Sequence, residues 1–431
     1  MRSAFVCARQ PMLWWHVWAT CITACGGVAT APFVVTPAGT GGVNHSSVID
    51  RPHVVLVSFD GFRHDYLTRV DTPNFDRLAD AGALADGLRS VFPSLTFPAH
   101  YSIATGLYPE QHGIVGNRFY DPMRDQQFNY RDRDDTQEGS WWGGEPVWLT
   151  AETQGMVAAA MFFPGTEAAI GGLRPSHWRP YDGGVTNAAR VGQVLEWLAL
   201  PAEARPHLVT LYFSLVDSAG HASGPDARAM GASVMAADVL LGQLLDGIAA
   251  LPHGDRIILM VVSDHGMATL DPERRQALVD LIDLDGIRAV STGLPIGIHI
   301  ADATRRTLVR DTLNDGLRDA RAYLREEVPA QLRYRENARI GDVVIIPDEG
   351  ATIQIRRTSS SPIGMHGWDP RLTSMQGIFL AAGPGIIPGA RLPVVESIDV
   401  YPLIAYLLGL TTPVDLDGSL DALVGLLDAP P

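Results

Sequence analysis

Residues 53–59, HVVLVSF, form a short apolar, β-branched run that stops at Asp60-Gly61. Such a run, with almost no polar alternation, belongs to a strand covered on both faces, as inside a parallel sheet. The signal recurs at 157–163 (VAAAMFF), 208–214 (LVTLYFS) and 256–263 (RIILMVVS), and helical periodicity appears at 186–199, 226–250 and 396–408. A further helix opens at Thr72-Pro73, has Phe75, Leu78 and Ala79 on its apolar face, and stops at Gly82. Strands alternating with helices predict an α/β fold with a mostly parallel central sheet flanked by helices. Two stretches break the rhythm. Residues 118–150 are polar and give no core element before the helix EPVWLTA. Residues 280–350 hold a strand candidate (GIHIAD), a charged helix over 303–327 and a hairpin-like ending. They read as a smaller subdomain inserted in a main domain over 51–415.

The start of the chain has a different character. Arg2 and Arg9 precede or flank an apolar run at 12–25, MLWWHVWATCITAC, that is too short to span a bilayer. Residues 1–24 read as an export signal and 25–50, rich in small residues, as a flexible tether. ITAC at 22–25 resembles the lipobox of bacterial lipoproteins, which makes Cys25 the lipidated first residue and gives a membrane anchor. Cleavage after ATA at 29–31 is the alternative and gives a periplasmic protein. Cys7, Cys21 and Cys25 are the only cysteines, so the body has no disulfide and no thiolate nucleophile or metal ligand. Its metal chemistry must use oxygen and nitrogen. The chain has no lysine and a formal charge of −15, which argues against a nucleic-acid polymer as a partner. A small anion drawn to local metal charge is compatible with it.

Chemistry-bearing residues gather at strand ends. Asp60 follows the first run, Asp217 and His221 follow the run at 208–214, and Asp264-His265 follow the run at 256–263. His366 stands in GMHGWD. Ligand sites in open α/β sheets form beyond the carboxyl ends of the strands, so these side chains share one crevice. Taken singly, each acid is an ordinary turn or cap and His366 a solvated residue. Together, three Asp and three His are the inventory for two divalent cations with mixed N/O ligands, zinc being favoured by imidazole. Thr96 opens a helix with Pro98 in its first turn and Gly106 as its stop. Its hydroxyl lies where free N–H groups and the helix dipole favour an anion, and Asn117 offers a neutral amide to the same anion. A plain N-cap is the alternative reading of Thr96.

Seven motifs, in order over residues 50–410, carry a resemblance: SFDG (58–61), FPSLTFPAH (92–100), TGLYPEQHGIVGN (105–117), WWGGEPVW (141–148), DSAGH (217–221), SDHGM (263–267) and GMHGW (364–368). The chain resembles the nucleotide pyrophosphatase/phosphodiesterase family of the alkaline phosphatase superfamily. That resemblance implies an alkaline phosphatase-like fold and two Zn2+. One is held by Asp217, His221 and His366, the other by Asp60, Asp264, His265 and the Thr96 oxygen. It implies Thr96 as nucleophile, with Asn117 and the backbone N–H of Phe97 binding a phosphoryl oxygen. Tyr181 stacks on a nucleobase opposite the Phe97 ring; Asp182 stands where the family usually has Asn. The implied reaction is hydrolysis of nucleotide phosphodiester or pyrophosphate bonds through a phosphothreonine, releasing nucleoside 5'-monophosphate. Asn117 suits a diester, whereas a monoester dianion favours an arginine clamp. Lysophospholipid or choline diesters are the alternative substrates, in a pocket lined by Trp141, Trp142, Trp148 or Tyr130. A non-catalytic envelope protein that binds metal and phosphate is the alternative outside enzymes.

Overall fold

The computed structural model describes residues 39–291, 294–358 and 361–429. Its central sheet contains β1 (His53–Phe59), β2 (Ala83–Ala85), β3 (Ala158–Met161), β4 (His177–Trp178), β5 (Leu208–Phe213), β6 (Ile257–Val262), β7 (Phe379–Ala382) and β8 (Ala390–Leu392). The order across the sheet is β8-β2-β7-β6-β1-β5-β3-β4. Within this sheet only β7 runs against its neighbours. β1 is central, and Ser58 pairs with Tyr212 of β5 and Val262 of β6.

The unbroken runs now have their cause. Every residue of β1, β5 and β6 is buried, because both faces of the sheet are covered. Val54 and Leu56 enter one core with Tyr101, Ile103, Val400 and Leu403. Val55, Val57 and Phe59 enter the other with Phe75, Leu78, Val194, Leu241 and Leu244. Burying these five β1 side chains contributes on the order of 10 kcal/mol. The covering helices include α1 (Pro73–Ala81), α2 (Thr96–Thr105), α3 (Asn187–Leu198), α4 (Leu215–Ser223), α5 (Arg228–Ala249) and α6 (Val400–Leu408). The hydroxyl of Thr72 does not cap α1. The buried Asp238 carboxylate of α5 accepts the Asn74 and Phe75 N–H groups instead, joining two helices while satisfying free donors.

Several expectations are corrected. The polar stretch at 118–150 contains a hairpin, Arg118–Asp121 with Gln126–Asn129, that pairs Phe119 with Phe128. Their rings stack at 4.8 Å and join buried Trp141 and Trp142 in the core. The charged helix expected over 303–327 is confined to Arg306–Gly316, and Ala320–Leu324 is a strand. The chain turns at Asp319, φ +52°, into an alternating segment that pairs with Val343–Pro347. These strands, with Ile287–Val290 and Ile296–Ile300, form a four-stranded antiparallel sheet over its own apolar cluster, which includes Ile298, Leu313 and Ile345. Residues 39–50, expected within the tether, pack on the body. The buried Asn44 amide donates to Ala202 O and Arg205 O and accepts the Val157 N–H. At the other end Leu423, Leu426 and Leu427 are buried, so the fold continues past residue 415. The export signal, Cys25 and the rest of the tether lie outside the described residues.

At the end of the sheet where β1 and β5 begin, the His53 and His207 rings stack at 4.5 Å. Each Nδ1–H donates to a proline carbonyl of the other strand's approach, Pro206 O and Pro52 O, at 2.9 Å. Burial, with His207 beside it, pushes His53 down to about 3, and burial pushes His112 down to about 3. Below pH 6.5 the unfolded chain takes up these protons and the folded chain does not until about pH 3, so stability falls with pH across that window. His53 alone is expected to cost about 2 kcal/mol on going from pH 7.5 to pH 5. Urea unfolding at the two pH values checks this. Equal unfolding free energies, or an unchanged slope in His53→Phe, would contradict it.

Candidate active site and metal centre

Asp60 ends β1. Its N–H donates to Phe213 O and its carbonyl accepts the Asp217 N–H, both at 2.9 Å. The backbone thus holds the acids of neighbouring strands side by side. Gly61 permits the approach: its φ is +69°, and a Cβ there would stand 2.9 Å from the Asp217 Cα and Cβ. Gly61→Ala is expected to displace Asp217 and lower the activity of the site about 10²-fold. Steady-state rates of the folded variant check this, and activity near wild type would contradict it.

Asp217 and His221 lie on the nine-residue helix α4 rather than in a turn. Their i,i+4 spacing places both on one face. Asp264 and His265 follow β6. His366 arrives through a short antiparallel pairing that sets Met365 against Ala268 and Gly364 against Thr269. This pairing brings the far part of the chain beside the β6 loop. The ring of His366 stacks on His265 with centroids 3.6 Å apart. Its Nε2 is 3.5 Å from Asp217 Oδ1 and 3.2 Å from His221 Nε2.

All three imidazoles are held in one tautomer. Nδ1–H donates to Gly364 O from His221, to Gly266 O from His265 and to Ser94 O from His366, at 2.8 to 2.9 Å. The Nε2 atoms therefore face inward. Asp60 Oδ1, Asp217 Oδ1, Asp264 Oδ2 and His265 Nε2 are buried without a hydrogen-bond partner. His265 Nε2 lies 3.0 Å from Asp264 Oδ2 and 3.5 Å from Asp60 Oδ1. Burial pushes the Asp60 carboxyl well up, and Asp264 and Asp217 push it further. Against burial, His265 and His100 hold Asp264 well below the usual carboxylate range. Burial, then His265 and His221, hold His366 well below the usual histidine range. Converging lone pairs and crowded buried carboxylates are costly without cations between them. The donor set fits divalent ions with an imidazole preference.

Two triads have ligand atoms within 4.8 Å of one another: Asp60, Asp264 and His265, and Asp217, His265 and His366. The first is the set expected for one cation. In the second His265 stands with Asp217 and His366, while His221 lies on the more exposed side, its Nε2 3.3 Å from Asp217 Oδ1. All six expected ligand side chains converge on one crevice.

Thr96 is the first residue of α2 and Leu95 takes the N-cap position, so Thr96 is not the cap. Phe97 N–H donates to Asn117 Oδ1 at 3.0 Å. The Phe97 N–H, which the resemblance gives to a phosphoryl oxygen, is engaged here by Asn117. The bond fixes the Asn117 amide, with its NH2 as the donor left over. Thr96, Phe97, Asn117, Asp60, Asp217, His221 and His366 all line one cavity of about 580 Å3. That volume suits a nucleotide-sized ligand. Tyr181 is on the wall, 41% exposed, with its ring edge on Phe162 at 5.3 Å and near the Arg190 guanidinium. Phe97 is backed by Tyr130, Phe128 and Trp142. Of the aromatics considered for a lipid pocket, Tyr130 lines the cavity, whereas Trp141, Trp142 and Trp148 belong to the core.

Sequence reasoning missed two neighbours of the ligands. Tyr212 Oη donates to Asp60 Oδ2 at 2.5 Å, but as a residue of β5 it read only as strand interior. His100 lies between the Thr96 carbonyl and Asp264. Its place one turn after Thr96, in FPAH, was the available signal.

The sequence profile described as type I phosphodiesterase / nucleotide pyrophosphatase matches residues 54–369. A venom phosphodiesterase of Crotalus durissus collilineatus is 34% identical over 405 residues, covering 91% of this chain and 48% of the venom protein. Ectonucleotide pyrophosphatase/phosphodiesterase family member 5 of Homo sapiens is 32% identical over 362 residues, covering 84% of this chain and 75% of the human protein. The chain spans about half the length of the venom relatives it matches. Among solved structures, murine member 5, an inactive threonine-to-alanine variant in complex with AMP, superposes with a TM-score of 0.83 at 30% identity. The match covers 88% of this chain and 100% of the murine one. The match extends from β1 through the loop that carries His366, and on it the chain belongs to the type I phosphodiesterase / nucleotide pyrophosphatase family, of alkaline phosphatase-like fold.

Proposed function

We propose that this protein hydrolyses nucleotide phosphodiester or pyrophosphate bonds with two zinc ions, through Thr96, and releases nucleoside 5'-monophosphate. The observation that carries this reading is the convergence of buried Asp60, Asp217, Asp264 and His265 ligand atoms that have no hydrogen-bond partner, with Asp60 and Asp217 on the wall of the cavity that Thr96 also lines. Asp60, Asp264 and His265 would hold one zinc, and Asp217, His221 and His366 the other. When bound, the pair supplies charge that favours an alkoxide at neutral pH and offsets charge on the leaving oxygen.

The chain's own groups do the rest. Thr96 Oγ loses its proton to solvent and forms the bond to phosphorus as the bond to the leaving oxygen breaks with its electron pair. The Asn117 NH2 donates to a non-bridging oxygen, which orients the phosphoryl group for in-line attack. Water then cleaves the nucleotidyl-threonine at phosphorus and restores the Thr96 hydroxyl. Tyr181 and Phe97 offer ring faces to the base of the retained nucleoside. AMP bound to the murine relative, whose inactive form has lost a threonine, supports both the nucleotide and the threonine. The core placement of Trp141, Trp142 and Trp148 weakens the lipid and choline alternative. The export signal and a lipid on Cys25 belong to the same proposal, and mass spectrometry of the mature N-terminus decides between anchored and free forms.

The test is hydrolysis of the p-nitrophenyl ester of thymidine 5'-monophosphate and of ATP, beside glycerophosphocholine and lysophosphatidylcholine. Nucleotide substrates should be turned over at least about 10-fold faster in kcat/KM, and chelator should remove the activity until zinc restores it. Faster turnover of the choline esters would transfer the reading to lipids, and chelator-insensitive turnover would remove the metals from it.

A further inference from the structure

We infer that His100 is a positioning residue that ties the Thr96 helix to the carboxylate of Asp264. The inference rests on the threonine–metal reading proposed above. His100 is fully buried, one turn after Thr96 on α2. Its Nδ1–H donates to Thr96 O at 2.8 Å and lies 3.2 Å from Asp264 Oδ2. Its Nε2 lies 2.8 Å from Ser58 Oγ, also fully buried. A proton on Nδ1 leaves Nε2 as an acceptor, so the Ser58 hydroxyl is the donor there.

One ring thus joins three pieces of chain: the helix that begins at Thr96, β1 two residues before Asp60, and the loop after β6. Its faces and edges are fixed as well, by Phe163 at 5.0 Å and Tyr212 at 5.3 Å, and Tyr212 itself holds Asp60. His100 approaches Asp264 Oδ2 as a close contact rather than a hydrogen bond, and groups that orient metal-binding carboxylates typically change metal affinity or activity 10–100-fold when lost. The fixed distance between Thr96 and the Asp60/Asp264/His265 triad is what His100 supplies.

The experiment compares the wild type with His100→Asn, His100→Gln and Ser58→Ala. Zinc affinity is read by chelator competition, and kcat and KM on the thymidine ester. His100→Asn keeps an N–H donor near the Nδ1 position, whereas His100→Gln places its amide near Nε2. His100→Gln is expected to lower kcat and zinc affinity by about 10–100-fold with KM within about 3-fold. His100→Asn should recover most of both, and Ser58→Ala should fall the same way by about 3–10-fold. Unchanged zinc affinity and kcat in His100→Gln, or no advantage of Asn over Gln, would overturn the inference. If His100→Gln does not fold, Ser58→Ala decides, and a wild-type response would overturn it. A wild type that cleaves no nucleotide ester would defeat the proposed function, while the zinc titrations would still decide the link between His100 and the metal site.

Discussion

Thr96→Ala is expected to lower kcat on the thymidine ester by at least about 10³-fold, with zinc content and unfolding temperature near wild type. Removing a nucleophile leaves only the contribution of binding and charge stabilisation, which is why such losses are large. The neighbouring hydroxyls do not substitute readily, because Tyr212 donates to Asp60 and Ser58 is engaged by His100. The side chain does not cap α2, so its loss should cost the fold little. Thr96→Ser should retain activity within about 10-fold, because it keeps the hydroxyl. Activity of Thr96→Ala above a tenth of wild type would remove Thr96 from the chemistry.

Asp60→Asn should separate function from stability. With zinc present, activity is expected to fall at least about 10²-fold, since a carboxylate of one triad is lost. In chelator the same variant should be more stable than the chelated wild type, by on the order of 1–3 kcal/mol. Asp60 and Asp264 are buried with Asp217 beside them, and burial with these neighbours already opposes ionisation of Asp60. Replacing one carboxyl by an amide relieves that crowding, and Tyr212 Oη can still donate to the amide oxygen. Thermal unfolding of both proteins, with chelator and with zinc, makes the comparison. A chelated variant less stable than chelated wild type would contradict the view that the ligands are assembled at a cost cations offset.

The parts of this fold legible in the sequence are those where burial leaves a long mark. β1, β5 and β6 are covered on both faces, so their runs name them, and the acids that end them are adjacent because the strands are. The loop that carries His366 is a different case. Its approach depends on a two-residue pairing with Ala268 and Thr269, too short to show a period, and only the GMHGW motif pointed to it. β2, β4 and β8 are two or three residues long and were invisible for the same reason. Phe119 and Phe128 read as isolated residues in a polar stretch until the hairpin register set them opposite each other. The Phe97 N–H is bonded to Asn117 Oδ1 across twenty residues of chain, a contact that spacing does not encode. His100 and Tyr212 serve the metal ligands rather than the substrate, and their residue types also suit an ordinary core.

Two successive displacements at phosphorus restore the starting configuration, whereas direct attack by water inverts it. The direct test therefore uses a p-nitrophenyl thymidine phosphorothioate of one phosphorus configuration, turned over in 18O-labelled water. The Thr96 route predicts thymidine phosphorothioate with net retention at phosphorus. Net inversion would show a single displacement by water and would contradict a covalent intermediate on Thr96.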